Sequence, residues 1–112
     1  MDGMLIYKIL RPSEWADFDS SGTFAGSPDD KRDGFLHFSS RAQVAATARR
    51  IFGDEPELVI VAVDADTLGD AVRWEQSGSG TFPHVYGVLD RSSVVGVHRV
   101  QGADGIEAVT TL

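Results

Sequence analysis

The sequence predicts a single α+β domain, with a compact, mixed but mostly antiparallel β-sheet, one long helix and one or two short helices. Two observations predict this class. Residues 58–63 form an unbroken apolar run that is rich in Val and too short for a buried helix, which is typical of a central strand buried on both faces. Ser40 and Gln43 match a helix capping box. Apolar residues then recur at helical spacing until Gly53, which predicts the long helix; they are Val44, Ala48, Ile51 and Phe52.

Length, charge and composition restrict the class of protein. The 112 residues suit one domain, which we assign to residues 1–112. A net charge of −7 argues against nucleic acid and membrane surfaces as partners, because both are anionic. The absence of cysteine excludes disulfides and thiolate sites, and no two histidines have a short ligand spacing, so no metal is expected. No apolar run approaches the roughly 20 residues of a spanning helix, and we expect a cytoplasmic protein.

Shorter segments predict the remaining elements. Ser13 can cap a short helix that carries Trp15 and Phe18 on one side. Residues 19–33 are rich in Gly, Pro and charged side chains, which indicates a long surface loop. Residues 64–69 suit a turn or a single helical turn, and residues 77–80 a flexible loop. Strands are predicted at 5–10, 34–39, 72–75 and 84–88, with a closing hairpin formed by 94–100 and 106–109.

His37 is the first candidate functional residue. Strand alternation puts it on one face with Phe35 and Ser39, just before the long helix. A neutral imidazole can both donate and accept a hydrogen bond, which suits a ribose hydroxyl or proton transfer. The alternative is a buried histidine satisfied by a backbone carbonyl.

Two later segments supply further candidates. Trp74 can form a pocket wall beside Glu75, whose carboxylate can stabilise developing positive charge; the alternative for Glu75 is a surface pair with Arg73 or solvent. His84 and Tyr86 share a strand face and offer a polar contact and a flat ring for a planar ligand, or else an aromatic-rich edge strand. We therefore predict that His37, Glu75, His84 and Tyr86 meet in one cleft, and we assign no role to His98.

Several segments together resemble the bacterial family known as domain of unknown function 952. The resemblance extends from Leu5 to about Val100, although Phe24 stands where tyrosine is common in that family. It depends on residues 6–9, Trp15, residues 33–39 (Asp-Gly-Phe-Leu-His-Phe-Ser), Gln43, residues 73–75 (Arg-Trp-Glu) and residues 82–87 (Phe-Pro-His-Val-Tyr-Gly).

That family resembles the ADP-ribosyltransferase superfamily, and this implies a split-sheet fold of that kind with NAD as substrate. The resemblance assigns His37 to the nicotinamide-side ribose, Tyr86 or Trp74 to stacking on nicotinamide, and Glu75 or His84 to the later polar role. Ser39 would lie beside His37 in the NAD site. A carboxylate there would stabilise the oxocarbenium-like ribose more in the transition state than in the ground state. Because a dinucleotide carries two phosphates, basic residues should also lie near the cleft, and the candidates are Arg41, Arg49 and Arg73.

The sequence leaves two other functions open. One is a non-catalytic module that binds a nucleotide-like metabolite in the same cleft. The other is an interaction domain, either a monomer or a homodimer formed through an edge strand. RNA 2'-phosphate transfer ranks low, because ten basic residues against seventeen acidic ones can hardly form a basic track.

Overall fold

The computed structural model describes residues 4–78, 80–107 and 109. The strands are β1 (Leu5–Leu10), β2 (Thr23–Phe24), β3 (Leu36–His37), β4 (Leu58–Asp64), β5 (Val72–Ser77), β6 (Gly80–Val85), β7 (Leu89–Asp90) and β8 (Val94–Val100). The helices are α1 (Pro12–Ser21), α2 (Pro28–Asp33), α3 (Arg41–Phe52) and α4 (Ala65–Leu68), with short 3₁₀ segments at Gly69–Ala71, Arg91–Ser93 and Ala103–Ile106. All strand pairs are antiparallel, so the α+β class with antiparallel sheets and a few helices is confirmed.

β4 is the centre of the first sheet, whose strand order is β1-β4-β8. Its residues 58–63 are all at most 2% exposed, so the predicted central strand is confirmed. Because side chains alternate along a strand, β4 supplies two cores. Val59, Val61 and Val63 pack with α1, whereas Leu58, Ile60 and Ala62 pack with α3.

A second sheet, with strand order β3-β6-β5, carries most of the polar candidates. Among the described residues, one backbone bridge next to β3 joins it to the first sheet, because Tyr7 and Ser39 exchange two backbone hydrogen bonds of 2.8 Å. β5 and β6 form a hairpin that pairs Ser77 with Gly80, so the loop predicted for residues 77–80 is shorter than expected; Ser79 lies outside the described residues. β6 also ends at Val85 rather than residue 88, and it includes Pro83.

α3 starts where the capping box predicts. The backbone N–H of Ser40 donates to Oε1 of Gln43 over 3.0 Å. Val44 and Ala48 are buried against the first sheet, as helical spacing predicts, but Ile51 is 50% exposed. Ile51 instead faces a cavity described below.

The long surface loop predicted for residues 19–33 is wrong, because this segment contains β2 and α2. Ser27 caps α2, Pro28 occupies its first turn, and Asp30 returns a carboxylate to the Ser27 N–H over 3.0 Å. Because Ser, Pro and Asp are also common in loops, the composition of this segment did not predict the helix. The predicted cap at Ser13 is wrong too, since α1 begins at Pro12 and the Arg11 N–H donates to Glu14.

The closing hairpin is also wrong for the described residues. β8 pairs with β4 instead, and Ile106 belongs to a 3₁₀ segment. Ile106 is fully buried and Val109 partly buried in the core beneath α3, which explains the apolar pattern without a strand. The helical turn predicted for residues 64–69 is present as α4. Among the described residues, no helix has the length and apolar character needed to cross a bilayer.

Candidate functional site

One face of the second sheet gathers the four residues expected to meet. Cross-strand pairing puts His37 opposite His84, and His84 opposite Arg73. Directly paired residues share a face, and alternation adds Glu75 and Tyr86 to it. The structure therefore places His37, Glu75, His84 and Tyr86 on one face of the second sheet.

Glu75 joins His84 and Tyr86 through one carboxylate oxygen. Its Oε1 lies 2.8 Å from Nδ1 of His84 and accepts the Tyr86 hydroxyl over 2.6 Å. Both hydrogen bonds lower the pKa of Glu75, the one from Tyr86 more than the one from His84. The hydrogen bond between Glu75 and Tyr86 also raises the pKa of Tyr86. An ionised carboxylate can only accept, so Nδ1 of the buried His84 donates to it, and in the neutral imidazole Nε2 is left as an acceptor.

Phe35 covers the imidazole of His84. The two rings stack with centroids 3.9 Å apart and planes at 23°. The Phe35 ring also lies 4.7 Å from His37 and 5.5 Å from Tyr86. The face of the His84 ring that could stack on a planar ligand is thus covered by Phe35. The Phe35 side chain is half-buried and follows Gly34 in the chain.

Trp74 lies apart from this group. Its neighbours Arg73 and Glu75 point to the polar face, so alternation sends Trp74 to the other side of β5, where it is 43% exposed. The structure therefore does not bring Trp74 together with the other predicted site residues. Ser39, by contrast, is buried and lines the same cavity as His37.

His37 lies between two carboxylates of α2. Its Nδ1 is 2.6 Å from Oδ1 of Asp30, and its Nε2 is 2.9 Å from Oδ2 of Asp33. The backbone N–H of His37 also donates to Oδ1 of Asp30 over 3.0 Å. Each ring nitrogen therefore faces a carboxylate, and the imidazole is held at two points.

Asp30 and Lys8 form a buried ion pair behind His37, which the sequence reasoning missed. Their side chains are 2% and 5% exposed, and Nζ of Lys8 lies 2.9 Å from Oδ2 of Asp30. Lys8 also donates to the carbonyl of His37 over 3.0 Å. One available signal was a lysine inside the otherwise apolar strand 5–10.

Acid is expected to destabilise the fold through Asp30. Burial alone would raise the pKa of Asp30, but the hydrogen bond to His37 and the charge of Lys8 outweigh it and hold this pKa well below its ordinary 3.8. The unfolded chain then binds a proton that the folded chain does not, so the free energy of unfolding falls as the pH drops below about 4. Urea denaturation across pH measures this fall. Carbon-13 NMR of the Asp30 carboxyl checks its source, and an ordinary titration there would contradict it.

A cavity of about 400 Å³ opens beside this network, within the usual size of ligand pockets. His37, Ser39 and His84 line it, whereas Glu75 and Tyr86 are not among its lining residues. Its other walls come from β1, α2, α3 and the β5–β6 hairpin. Glu75 therefore reaches the cavity through the ring of His84.

The basic residues expected near the cleft are different ones. Arg41, Arg49 and Arg73 do not line the cavity, and Arg11, Arg32 and Arg50 do. Arg41 donates to the carbonyl of Val109, and Arg73 stacks 4.6 Å from the Tyr86 ring centroid. Arg49 pairs with two carboxylates on the other side of α3, those of Asp104 and Glu107. The rotation of α3 about its axis thus places Arg50, and not the adjacent Arg49, at the cavity.

His98 remains outside this site, on β8 opposite Ile60. Within the described residues, no group of three or more His, Asp or Glu side chains is arranged to hold a metal ion.

Comparison with known proteins gives a family. The family model described as "Protein of unknown function (DUF952)" matches residues 9–97. The crystal structure of protein CC0527 from Caulobacter crescentus is 42% identical over 90% of each chain, with a TM-score of 0.83. Its solution NMR structure is 38% identical, covers 96% of this chain and 98% of that one, and has a TM-score of 0.81. Curated proteins give no match. The chain belongs to the DUF952 family of proteins of unknown function.

Proposed function

We propose that the cavity binds NAD, and that the site transfers the ADP-ribosyl group to an acceptor or to water. The main support is that His37 and His84 line one cavity, with ring centroids 5.9 Å apart, while Glu75 is bonded to the far nitrogen of His84. Two imidazoles in a cavity can hold ribose hydroxyls and move a proton. The resemblance to ADP-ribosyltransferases agrees with this use of His37.

The chemistry needs a base and a nearby negative charge. When the bond between ribose C1' and the nicotinamide nitrogen breaks, nicotinamide leaves with the electron pair and an oxocarbenium-like ribose forms. The oxygen of water or of an acceptor then bonds to C1', and its proton passes to Nε2 of His84. Ionised Glu75 stabilises the resulting imidazolium through Nδ1, as the buried carboxylate does in a catalytic triad. In this scheme His84 is the base and Glu75 is a positioning residue.

Ligand entry requires a local rearrangement. Phe35 stacks on the ring of His84, and Nε2 of His37 is hydrogen-bonded to Asp33. We expect the ligand to replace both, with a planar ring in place of Phe35 and a hydroxyl in place of Asp33. Gly34 lies between Asp33 and Phe35 in the chain and has a φ of 86°. Glycine adopts this and other backbone conformations at little cost, so residues 33–35 can change conformation when a ligand enters.

A non-catalytic binding module is the second candidate, favoured by one observation. Glu75 and Tyr86 do not line the cavity, and Phe35 covers His84, so a ligand could occupy the cavity without reaching the polar groups that cleave it. Such a ligand would raise the melting temperature and stay unchanged on long incubation.

The test incubates the protein with NAD and follows nicotinamide by chromatography and melting temperature by calorimetry. Release of nicotinamide supports the enzyme. A raised melting temperature without release supports the binding module, and neither effect rejects both. In nitrogen-15 NMR spectra, NAD should shift the signals of His37, His84 and Tyr86, while Trp74 on the opposite face serves as the internal control.

Replacing His37 with Ala is expected to weaken ADP-ribose binding at least about tenfold while lowering the free energy of unfolding by only about 1 kcal/mol. The change removes a partly exposed ring and leaves the Lys8–Asp30 pair in place. Isothermal titration and urea denaturation measure the two effects. His98→Ala, remote from the cavity, should change neither binding nor the site. Unchanged affinity with a large loss of stability would assign His37 a purely structural role.

A further inference from the structure

We infer that Arg50 binds the diphosphate of the ligand, and that the cavity therefore takes a phosphorylated nucleotide rather than a neutral nucleoside. The inference rests on the proposed function and names the part of the ligand that α3 contacts. It starts from the charges that line the cavity.

Three of the four cations lining the cavity are already neutralised by carboxylates. The pairs are Lys8–Asp30 at 2.9 Å, Arg11–Glu55 at 2.8 Å and Arg32–Asp33 at 2.9 Å. Their donors are directed at protein oxygens, and recruiting them would break existing hydrogen bonds. Lys8, Arg11 and Arg32 therefore line the cavity but attract an anion only weakly, because each is already paired with a carboxylate.

Arg50 is different. No carboxylate of the described residues lies within ion-pair distance of its guanidinium, although the chain has seventeen acidic residues for ten basic ones. Its neighbour Arg49 forms two ion pairs on the other side of the helix, at 3.0 Å to Asp104 and 3.0 Å to Glu107. Within the part of the chain that the structure describes, Arg50 is thus a cation without a carboxylate partner at the cavity of an acidic protein.

α3 also presents companions for a phosphate ligand. Thr47, Arg50 and Ile51 line the cavity, and Arg50 and Ile51 follow Thr47 by three and four residues, which places each of them on the same helix face as Thr47. The hydroxyl of Thr47 adds a donor beside the guanidinium. Ile51, half exposed although apolar, offers contact area for the body of a ligand.

The chemistry of these groups selects the anion. A guanidinium binds phosphate through two parallel N–H donors, and a nearby hydroxyl can complete the contact. The two histidines lie on the sheet side of the same cavity and suit sugar hydroxyls. A ligand that spans both walls therefore combines a sugar with a phosphate, as the ADP-ribose part of NAD does.

The test uses the whole protein and a matched pair of variants, Arg50→Gln and Arg49→Gln. Isothermal titration with ADP-ribose should give a Kd about 10- to 100-fold weaker for R50Q, because one charged hydrogen-bonding contact is lost. R49Q should stay within about twofold of the wild type. Adenosine, which has no phosphate, should bind both variants equally, and equal weakening of ADP-ribose binding in R49Q and R50Q would overturn the inference.

A second measurement separates this inference from the proposed function. Inorganic pyrophosphate, followed by nitrogen-15 NMR, should shift the amides of Thr47, Arg50 and Ile51 in the wild type and not in R50Q. If pyrophosphate shifts them while NAD does not bind, the phosphate site stands and the NAD proposal falls. If pyrophosphate leaves them unshifted, or shifts them equally in R50Q, the phosphate site is rejected.

Discussion

Replacing Asp30 with Asn is expected to lower the free energy of unfolding by about 3–5 kcal/mol, because it leaves the Lys8 ammonium buried without a counter-charge. The carboxylate also accepts the backbone N–H groups of Ser27 and His37, each over 3.0 Å. One side chain thus joins β1, α2 and β3. Urea denaturation at neutral pH measures the loss, which is a large part of the 5–15 kcal/mol that is typical of a domain.

Two variants separate this effect from a general sensitivity of α2. Asp29→Asn changes the adjacent carboxylate, which is 63% exposed, and should cost no more than about 0.5 kcal/mol. The double change Lys8→Met with Asp30→Asn removes both charges and should recover part of the stability lost in D30N. If D30N and D29N are equally stable, the buried pair does not contribute as described.

Local patterns predicted the elements whose burial follows from their own residues. β4 is apolar on both faces because each face packs in a hydrophobic core. The start of α3 is predicted by the capping box at Ser40. The α2 segment has no apolar stripe, since its one buried residue is Asp30. The capping box of Ser27 and Asp30 is local, but Asp30 is stabilised in the core by Lys8 on β1, which no window of sequence around α2 contains.

The candidate site was predictable to the same extent. Alternation alone put His37 on one face of its strand and His84 with Tyr86 on one face of another. The register that sets His37 opposite His84 is a long-range choice, and with it comes the stacking of Phe35 on His84. Likewise, whether Arg49 or Arg50 meets the cavity depends on the rotation of α3 about its axis, which buried positions such as Val44 and Ala48 fix only after packing.

Replacing Glu75 with Gln is expected to slow nicotinamide release about 100-fold or more while leaving the KM for NAD nearly unchanged. In the variant, the amide oxygen at the position of Oε1 can still accept from both the Tyr86 hydroxyl and Nδ1 of His84, so the proton stays on Nδ1 and Nε2 stays free to accept. The negative charge that stabilises the His84 imidazolium is lost, and the transfer of a proton from the attacking oxygen to Nε2 becomes less favourable.

The tautomer supplies a readout that does not depend on turnover. Nitrogen-15 NMR should find the His84 proton on Nδ1 in both the wild type and E75Q, so that a slow rate in E75Q reports the lost charge. Glu57→Gln, which changes a glutamate that does not line the cavity, should leave both the rate and the His84 spectrum unchanged. An undiminished rate in E75Q would remove Glu75 from the proposed role, and a His84 proton found on Nε2 in E75Q would mean that the amide NH2, rather than the amide oxygen, faces His84.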